Sequence, residues 1–419
     1  MANTALINHT KTQFAKSIVN LCPGVWSAVG YAASNQHMIE GKTSLTIIDT
    51  SESTGAATNV LAEFRKLSNK PITRIIYTHS HRDHISGAMV FADGANIPVI
   101  ASHDFAPDLT GKNVLQHTPD KALNRRTMAQ FGFGLTPQQR VSLGCGPGDR
   151  PVDGMGAGYI PPNQFIEHDR DIDLDGVSAR LIKAPGETDD HMVVWLPEQR
   201  VLIPGDNWYH AFPNLYAIRG TPYRDFGAWA DSLELLDSLN AEVLAPGHTQ
   251  PVFGASKVHE VLTTTREAIL HVMKHTADGM DAGLSLDDIA ATIELPASIA
   301  NKPWLGEFYG KASWSARAYS VGTLGWYDGN PTNLGTLSSL QRARYMAELA
   351  GGIPQLQQKA SETDNLQWRL ELCDLIALGE DALLLKAETM EQLAENEINA
   401  TARNTYYWEA EALRKKLAT

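Results

Sequence analysis

The sequence predicts an α/β sandwich of the αββα type followed by an all-α helical region. Up to about residue 255, short apolar runs typical of strands alternate with segments of helical spacing, which suits two sheets covered by helices. Beyond that point, helical patterns follow one another. Several apolar runs of the first part end directly in histidine or aspartate, which can bind metals. We therefore expect a catalytic domain over residues 1–255 and a helical domain over residues 256–419.

The elements of the first part are predicted from apolar spacing. Residues 25–31 and 44–48 are predicted to be paired strands, and residues 59–67 have the spacing of a helix with one apolar face. Asp225 is of a type that caps helices, and an apolar stripe follows it. Residues 118–164 form a long insert that is rich in glycine and proline toward its end. A loop of this length can roof an active site.

The most informative stretch follows the apolar run 72–77. It places His79, His81, Asp83 and His84 within six residues. Imidazole nitrogens and carboxylate oxygens are natural ligands of zinc and similar metals. If the strand direction continues, the first two histidines point the same way, whereas the last two residues lie past the turn and can face a second ion. Solvated, idle histidines are the alternative, but four convergent polar groups without a partner would be costly.

A site for two metals needs further ligands, and later strands supply them. His191 directly precedes the apolar run 192–196. Asp206 follows another apolar run, and its carboxylate can bridge two ions. His248 ends a third strand in the same manner. Three carboxylates in the loop of His191 compete with it for its role: Glu187, Asp189 and Asp190.

The pattern His-x-His-x-Asp-His resembles the signature of the metallo-β-lactamase superfamily, whose members are αββα hydrolases with two metals at one edge of the sandwich. The resemblance implies two divalent ions in this chain, expected to be Zn²⁺. It distributes the ligands in two sets that share Asp206: His79, His81 and His191 for one ion, and Asp83, His84 and His248 for the other.

A closer resemblance covers nearly the whole chain. Residues 309–313 and 324–331 are similar to the dimerisation domain of the alkyl sulfatases of this superfamily. Further similar stretches lie in both parts: residues 77–87, 126–132, 159–162, 215–225 and 400–407. The resemblance implies a homodimeric hydrolase that cleaves an alkyl sulfate ester to an alcohol and inorganic sulfate. Two departures stand out: His191 and Asp206 replace glutamates common in the family, and the sterol-carrier-like C-terminal domain of many members, thought to handle apolar chains, is not present.

The chemistry of such a site can be argued from the residues. Two divalent ions lower the pKa of a shared water and neutralise charge on the reacting group. Asp83 can orient that water or accept its proton. Arg219 and Arg224 have planar forks that suit sulfate oxygens, with ordinary surface arginines as the alternative. The resemblance adds three candidates: His210 as a catalytic residue, and Asn207 and Tyr309 as substrate-binding residues. His210 and Asn207 could also support the ligands or protonate a leaving group.

The part after residue 255 is predicted to be helical. Residues 258–274 and 286–293 are predicted helices, and residues 304–330 are rich in aromatics and glycine. Further helical patterns recur along the rest of the chain: 338–350, 353–361, 365–378, 380–395 and 399–416. Their period approaches that of tetratricopeptide-like helix pairs. Stacked hairpins that bind a partner, and a plain bundle packed on the catalytic domain, both stay open.

Composition limits the classes of function. The net charge of −13 argues against nucleic acid as a partner and requires local positive charge wherever an anionic ester binds. No apolar run reaches the roughly 18 residues of a membrane helix. No signal peptide is recognisable and the three cysteines are scattered, which favours a cytoplasmic location and leaves a periplasmic one open.

The leading interpretation is a dimetal sulfuric ester hydrolase that acts on a small anionic ester. The first alternative is a hydrolase of the same scaffold that acts on a phosphoester, lactone or thioester. The pair Arg219 and Arg224 and the helical domain favour the sulfatase. The second alternative is a non-catalytic partner-binding protein, and the complete set of seven ligands argues against it.

Overall fold

The computed structural model describes residues 2–107, 120–376 and 380–418. Short strands and helices alternate in its first part. In chain order they are α1 (Thr4–Gln13), β1 (Ser17–Cys22), β2 (Val25–Val29), β3 (Gln36–Glu40), β4 (Leu45–Ile48), α2 (Thr54–Arg65), β5 (Ile72–Ile76), α3 (Arg82–Ile85), α4 (Ala88–Ala92), β6 (Val99–Ser102), α5 (Asp120–Gln130), β7 (Gln164–Ile166), β8 (Arg170–Asp173), β9 (Ser178–Lys183), β10 (Met192–Leu196), β11 (Val201–Ile203), α6 (Phe226–Ser238), β12 (Val243–Leu244) and β13 (Val252–Phe253).

The strands form two sheets. The first has the order β1-β2-β3-β4-β5-β6-β7 and the second the order β13-β12-β11-β10-β9-β8. β4, β5, β6 and β7 are parallel to one another, and so are β11 and β12. The carboxyl ends of parallel strands lie at the same edge of a sheet. The loops after β4 and β5 therefore lie together, and so do the loops after β11 and β12.

Four layers make the sandwich. The inner faces of the two sheets pack on each other around side chains such as Ile76 and Val194. The outer face of the first sheet is covered by α2 and α4, which contribute Phe64 and Phe91 respectively. The outer face of the second sheet packs against Trp229 of α6 and the helix that follows β13. The predicted αββα architecture is confirmed.

The rest of the described chain is helical. Its helices are α7 (Ala255–Asp281), α8 (Leu286–Thr292), α9 (Ala312–Leu324), α10 (Ser339–Leu349), α11 (Ile353–Glu362), α12 (Leu366–Ile376), α13 (Glu380–Asn396) and α14 (Ala400–Leu417). The inner side chains of α7, such as Leu262 and Ile269, share one core with α6. The helix that starts at the predicted boundary therefore covers the sandwich, and the division at residue 255 stays a prediction.

Several predicted elements differ from the observed ones. Residues 25–31 and 44–48 do contain strands, but the prediction that they pair is wrong, because β3 lies between them and pairs with both. Gln36 and His37 of β3 are buried, so the strand lacks the alternation that would have revealed it. Asp225 caps α6 as predicted, through a hydrogen bond of 3.0 Å from the amide of Ala228 to its Oδ1.

The long insert is only partly described, since residues 118 and 119 lie outside the described residues. Within the described ranges, we find no helix that combines the length and apolarity needed to span a membrane.

Candidate metal centre and active site

The ligand motif occupies the loop after β5 and the short helix α3. His79 and His84 are buried completely. The side chains of His81 and Asp83 remain 17% and 29% exposed, respectively. Because α3 turns directly after the strand, it brings Asp83 and His84 back over the sheet edge. The motif therefore has a closed side formed by protein and an open side toward solvent.

Two groups of ligand atoms converge here, each with its members within 4.8 Å of one another: His79, His81 and Asp206, and Asp83, His84 and His248. The Nε2 of His79 lies 3.0 Å from the Nδ1 of His81. Asp206 joins the groups, because its Oδ2 lies 3.0 Å from the Nε2 of His248 and its Oδ1 lies 3.4 Å from the Nε2 of His84. Ligands of a tetrahedral zinc ion lie roughly 3.3–3.6 Å apart. The spacing fits two cations bridged by one carboxylate.

Hydrogen bonds behind the rings determine which nitrogen faces the site. The Nδ1 of His84 donates to Asp49 Oδ2 at 2.7 Å, and the Nδ1 of His248 donates to a backbone carbonyl at 2.8 Å. Thr78 Oγ1 donates to Asp49 Oδ2 at 2.8 Å, so it accepts from His79 Nδ1, which lies 3.0 Å away. In all three rings Nδ1 thus carries a proton, so Nε2 is the nitrogen that can offer a lone pair to a metal once it is deprotonated.

Buried polar atoms at the centre provide a second test of fit. Those that have no hydrogen-bond partner among the described residues include His84 Nε2, Asp206 Oδ1 and Glu187 Oε2. Each such atom costs about 1–3 kcal/mol if nothing satisfies it. All three are electron-pair donors that face the ligand groups, so the residues present fit divalent cations.

The electrostatics of the centre point the same way. Burial disfavours ionisation of Asp206, but the facing His248, His84 and His79 hold its pKa well below the usual range. Burial also disfavours the imidazolium form of His248, yet Asp206 and Asp83 raise the pKa of His248 to about 9. The carboxylates therefore draw positive charge onto the ligand set. Metal binding supplies that charge and displaces the protons.

Two residues, His191 and Glu187, compete as the third ligand of the first group. His191 Nε2 accepts a hydrogen bond of 3.0 Å from the backbone amide of Asp206, and the ring stacks on His79 with centroids 4.7 Å apart. Glu187, a competitor in the same loop, places its Oε1 3.9 Å from His81 Nδ1. The geometry favours Glu187 over His191, because His191 Nε2 is occupied by an amide and only its Nδ1 lacks a partner among the described residues.

Two predicted substrate residues, Arg224 and Asn207, contact the loop that carries Glu187. Arg224 is buried, pairs with Glu187 Oε1 at 2.8 Å and donates to the carbonyl of Asn214. Its charge is therefore paired with Glu187, and its role as an anion donor stays a prediction. Asn207 donates from Nδ2 to the carbonyl of Ala184 at 2.7 Å and accepts from the amide of Glu187 at 3.4 Å. It therefore braces the loop that carries Glu187.

His210 lies apart from the metal groups. Its ring belongs to an aromatic cluster, with centroids 6.2 Å from His9, 6.3 Å from Trp208 and 6.4 Å from Trp304. Burial lowers the pKa of His210 to about 4, so the ring is neutral near pH 7. The residue is partly buried, and its role in protonating a leaving group stays a prediction.

Arg219 and Tyr309 lie at the open side. Burial, and after it the charges of Arg224 and Arg219, hold the pKa of His81 well below its usual value, so both charges are within electrostatic reach of that ring. Arg219 is partly buried, and its Nη1 donates to the carbonyl of Gly220 at 3.0 Å. The side chain of Tyr309 lies in one buried cluster with Cys145. Burial raises the pKa of Tyr309 well above its usual value, so the hydroxyl keeps its proton. Both side chains can meet an anion that binds beside the ligands.

Comparison with known proteins agrees with this geometry. The sequence model of the metallo-beta-lactamase superfamily matches residues 29–248, and that of alkyl sulfatase dimerisation matches residues 285–416. A linear primary-alkylsulfatase of Pseudomonas sp. (strain ATCC 19151) is 33% identical over 391 residues, which cover 91% of this chain and 74% of that protein. This chain belongs to the alkyl sulfatase family of the metallo-β-lactamase superfamily.

Other relatives support the same assignment to the alkyl sulfatase family. The alkyl/aryl-sulfatase BDS1 of Saccharomyces cerevisiae is 30% identical over 431 residues, which cover 99% of this chain and 66% of that protein. The solved structure of the stereoselective inverting sec-alkylsulfatase Pisa1 from Pseudomonas sp. has a TM-score of 0.88 and 27% identity, with 99% of this chain and 68% of that chain covered. This chain thus spans about two thirds to three quarters of the length of these relatives.

The residues that sequence reasoning missed in this alkyl sulfatase family member lie behind the ligands. Asp49 directly follows β4, just as the ligands follow β5, β11 and β12, and that shared position was the available signal. Thr78 stands between the apolar run 72–77 and His79, and its residue type alone gives no signal of a role. Glu187 pairs with Arg224, and Cys145 packs with Tyr309. The members of each pair are far apart in the chain, so no local sequence pattern indicates these contacts.

Proposed function

We propose that this chain hydrolyses sulfate esters of organic alcohols and releases the alcohol and inorganic sulfate. The observation that carries the proposal is a pair of ligand groups joined by Asp206, with Arg219 near their open side. The alkylsulfatase relatives, at 33% and 30% identity, support this substrate class. A guanidinium beside two cations suits a tetrahedral oxyanion.

We infer two divalent ions per chain, and the nitrogen-rich ligand set favours Zn²⁺. Glu187 is the proposed remaining ligand of the first group, and Arg224 compensates its charge. When bound, such ions supply an activated water and neutralise charge on the reacting group.

The protein side chains have separate tasks in this proposal. The partly exposed carboxylate of Asp83 faces His84 and His248 at 3.7 and 3.5 Å, where it can accept the proton of an attacking water. Arg219 binds sulfate oxygens at the open side, and the Tyr309 hydroxyl offers a neutral donor there. Hydrolysis adds the hydroxyl of water to one fragment and its proton to the other, so no further reactant is needed.

A substrate and metal experiment tests the proposal. Protein purified without chelator should contain about two divalent ions per chain by elemental analysis, and it should hydrolyse alkyl sulfates in preference to matched phosphate monoesters or lactones. A metal content near zero that added zinc does not restore, or a preference for a neutral ester, contradicts the proposal. Hydrolysis in ¹⁸O-labelled water then shows whether the carbon–oxygen or the sulfur–oxygen bond breaks.

Arg219 provides the sharper test of anion binding. Arg219→Ala should lower kcat/KM for the sulfate ester roughly ten- to a hundredfold, because one charge-assisted hydrogen bond is worth about 1.5–3 kcal/mol, while the metal content stays intact. The control is Arg180→Ala, which removes a half-exposed arginine that pairs with Asp169 on the protein surface. Equal activity of the two variants contradicts the anion-binding role.

We also propose that the chain forms a homodimer through its helical region. Large apolar side chains on and between α9 and α10 are exposed, including Leu324 (73%), Trp326 (71%) and Leu349 (81%). An apolar surface of this kind marks an interaction site. The match to the alkyl sulfatase dimerisation family over residues 285–416 supports a second copy of the chain as the partner.

A further inference from the structure

The first turn of α14 is buried against the segment that carries Tyr309. Asn399, the N-cap residue, has no exposed surface. Its Nδ2 donates to the carbonyls of Glu307 and Tyr309 at 3.0 and 2.9 Å, and the amide of Ala400 donates to the carbonyl of Phe308 at 2.8 Å. The backbone of the segment that carries Tyr309 is therefore held by the start of the last helix.

Asn404, one turn further on, holds a different segment. It is also fully buried, and its Nδ2 donates to the carbonyl of Gln130 at 3.2 Å and to that of Ser142 at 3.1 Å. Its neighbour Arg403 donates to the carbonyl of Gln139 at 3.1 Å. A single helix turn thus fixes both ends of the segment 130–142, which belongs to the long insert.

Gln130 and Ser142, whose carbonyls accept from Asn404, each also accept a second hydrogen bond through the side chain. Gln130 accepts, through Oε1, a hydrogen bond of 2.8 Å from the amide of Arg219. Ser142 Oγ accepts a hydrogen bond of 2.8 Å from the amide of Gly144, which begins the Gly-Cys-Gly loop. Both Arg219 and that loop are therefore one hydrogen-bonded step away from Asn404.

The Gly-Cys-Gly loop, residues 144–146, is itself wedged into the site. A Cβ on Gly144 would lie 2.5 Å from the carbonyl oxygen of Phe308, and one on Gly146 would lie 2.6 Å from the carbonyl oxygen of Ala33. Only glycine allows this approach. That second carbonyl is the one to which His248 donates. The loop therefore lies between the Tyr309 segment and the backbone behind a predicted metal ligand.

We propose that Asn404 is a positioning residue that sets Arg219 and the Gly-Cys-Gly loop at the substrate-facing side of the metal centre. The inference rests on the proposed hydrolysis of sulfate esters, and it assigns to the helical region a part in anion recognition. Asn404 acts through the backbone of the insert and touches no ligand of the metals. An error of about 1 Å in the placement of a catalytic group can cost roughly a hundredfold in rate.

Asn404→Asp tests the proposal with little change in shape, because it replaces the two-donor amide with a carboxylate that can only accept. The matched control is Thr405→Val, also near-isosteric, which removes a hydroxyl whose described hydrogen bond goes to the carbonyl of Thr401 within the same helix. If Asn404→Asp does not fold, Asn404→Ala removes both donors without adding charge. The expected result is a ten- to hundredfold lower kcat/KM for an alkyl sulfate and weaker inhibition by inorganic sulfate, with the metal content unchanged.

A second measurement does not depend on activity. Cys145 is buried in the loop and belongs to the same buried cluster as Tyr309. Cys373 is buried elsewhere, in α12. Alkylation followed by mass spectrometry measures the reaction rate of each thiol. Cys145 should be alkylated at least about tenfold faster in Asn404→Asp than in the wild type, whereas Cys373 should stay protected in both.

The outcomes separate the two proposals. If Asn404→Asp matches Thr405→Val in kinetics and in Cys145 protection, or if Cys145 and Cys373 become reactive together, the positioning role is overturned. If the wild type hydrolyses no sulfate ester, the proposed function is overturned, and the alkylation of Cys145 still decides whether Asn404 places the loop.

Discussion

Asp49 holds the ligand motif from behind. Its backbone is left-handed, with φ of 58°, and its carboxylate accepts from the amide of Thr78 at 2.8 Å, from the hydroxyl of the same residue, and from Nδ1 of His84. The hydroxyl in turn accepts from His79. One carboxylate therefore fixes the proton positions of a ligand in each metal group, so its loss should be felt at both.

Asp49→Asn should weaken metal binding by about ten- to a hundredfold without unfolding the protein. Asparagine tolerates left-handed backbone and keeps the shape, but its amide nitrogen cannot accept the bonds from Thr78 and His84. Competition with a chromophoric chelator measures the affinity. Asp175→Asn is the control, because Asp175 also has φ of 58° and caps the amides of Thr43 and Ser44 away from the centre. Equal affinities for the two variants would show that the carboxylate is not needed.

Glu187 and His191 make competing predictions for the first metal group. Glu187→Gln should lower the metal content by about one ion per chain, because an amide is a poor ligand and Arg224 loses its counter-charge. His191→Gln should retain both ions, since the imidazole already accepts from the amide of Asp206. Elemental analysis of the two variants, side by side, measures the difference. Loss of an ion in His191→Gln and not in Glu187→Gln would restore the original assignment.

At the scale of single residues, the sequence identifies the candidate ligands that lie in one short motif or at a strand end. His79 to His84, Asp206 and His248 could be selected because each follows an apolar run. The choice between Glu187 and His191 could not be made, because it depends on a backbone amide that meets the imidazole only in three dimensions. His210 was selected by its proximity to Asp206 along the chain, and the chain carries its ring into an aromatic cluster.

At the scale of elements, the Gly-Cys-Gly loop requires a residue without a side chain at position 144. Gly144 and Gly134 have nearly the same φ, 87° and 86°, but a Cβ would strike the Phe308 carbonyl only at Gly144 and would meet nothing within 4 Å at Gly134. The two positions therefore separate a steric contact from backbone strain, which costs about 1–2 kcal/mol for either residue.

Gly144→Ala should destabilise the protein by at least about 1 kcal/mol more than Gly134→Ala, because the loop must move away from Phe308. It should also lower kcat/KM for the sulfate ester, because the displaced loop carries Cys145 away from Tyr309. Urea unfolding and steady-state kinetics of both variants provide the measurement. Indistinguishable variants would mean that the loop has room to shift without consequence.

The order of elements was predictable where an apolar pattern alternates. The helix after Asp225 was found because its cap and stripe lie together in the sequence. β3 was missed because burial on both faces removes the alternation of apolar and polar residues. The predicted helix 258–274 was too short, since α7 extends beyond it at both ends. Burial on both faces comes from the second layer of the sandwich, which a local pattern does not contain.

At the scale of the whole molecule, the exposed apolar side chains around α9 and α10 are the proposed contact with a second copy of the chain. The variant Leu324→Glu/Leu349→Glu places two charges in it and should convert the proposed dimer to a monomer at micromolar concentration. Sedimentation velocity measures the change. The control Met89→Glu charges a side chain that is 54% exposed on α4, in the sandwich, and should leave the dimer intact. A wild-type monomer across the range would contradict the dimer itself.

The attachment of α14 to the catalytic side also has a consequence for biosynthesis. All the candidate metal ligands, the last being His248, leave the ribosome long before Asn399 and Asn404 do, by roughly 8–30 s at 5–20 residues per second. A nascent chain can therefore fold its sandwich and acquire metal while the insert still lacks the helix turn that anchors it. On the proposed function, the metal ligands of the nascent chain are therefore complete before the residues that place Arg219, so metal binding can precede substrate recognition in the order of synthesis.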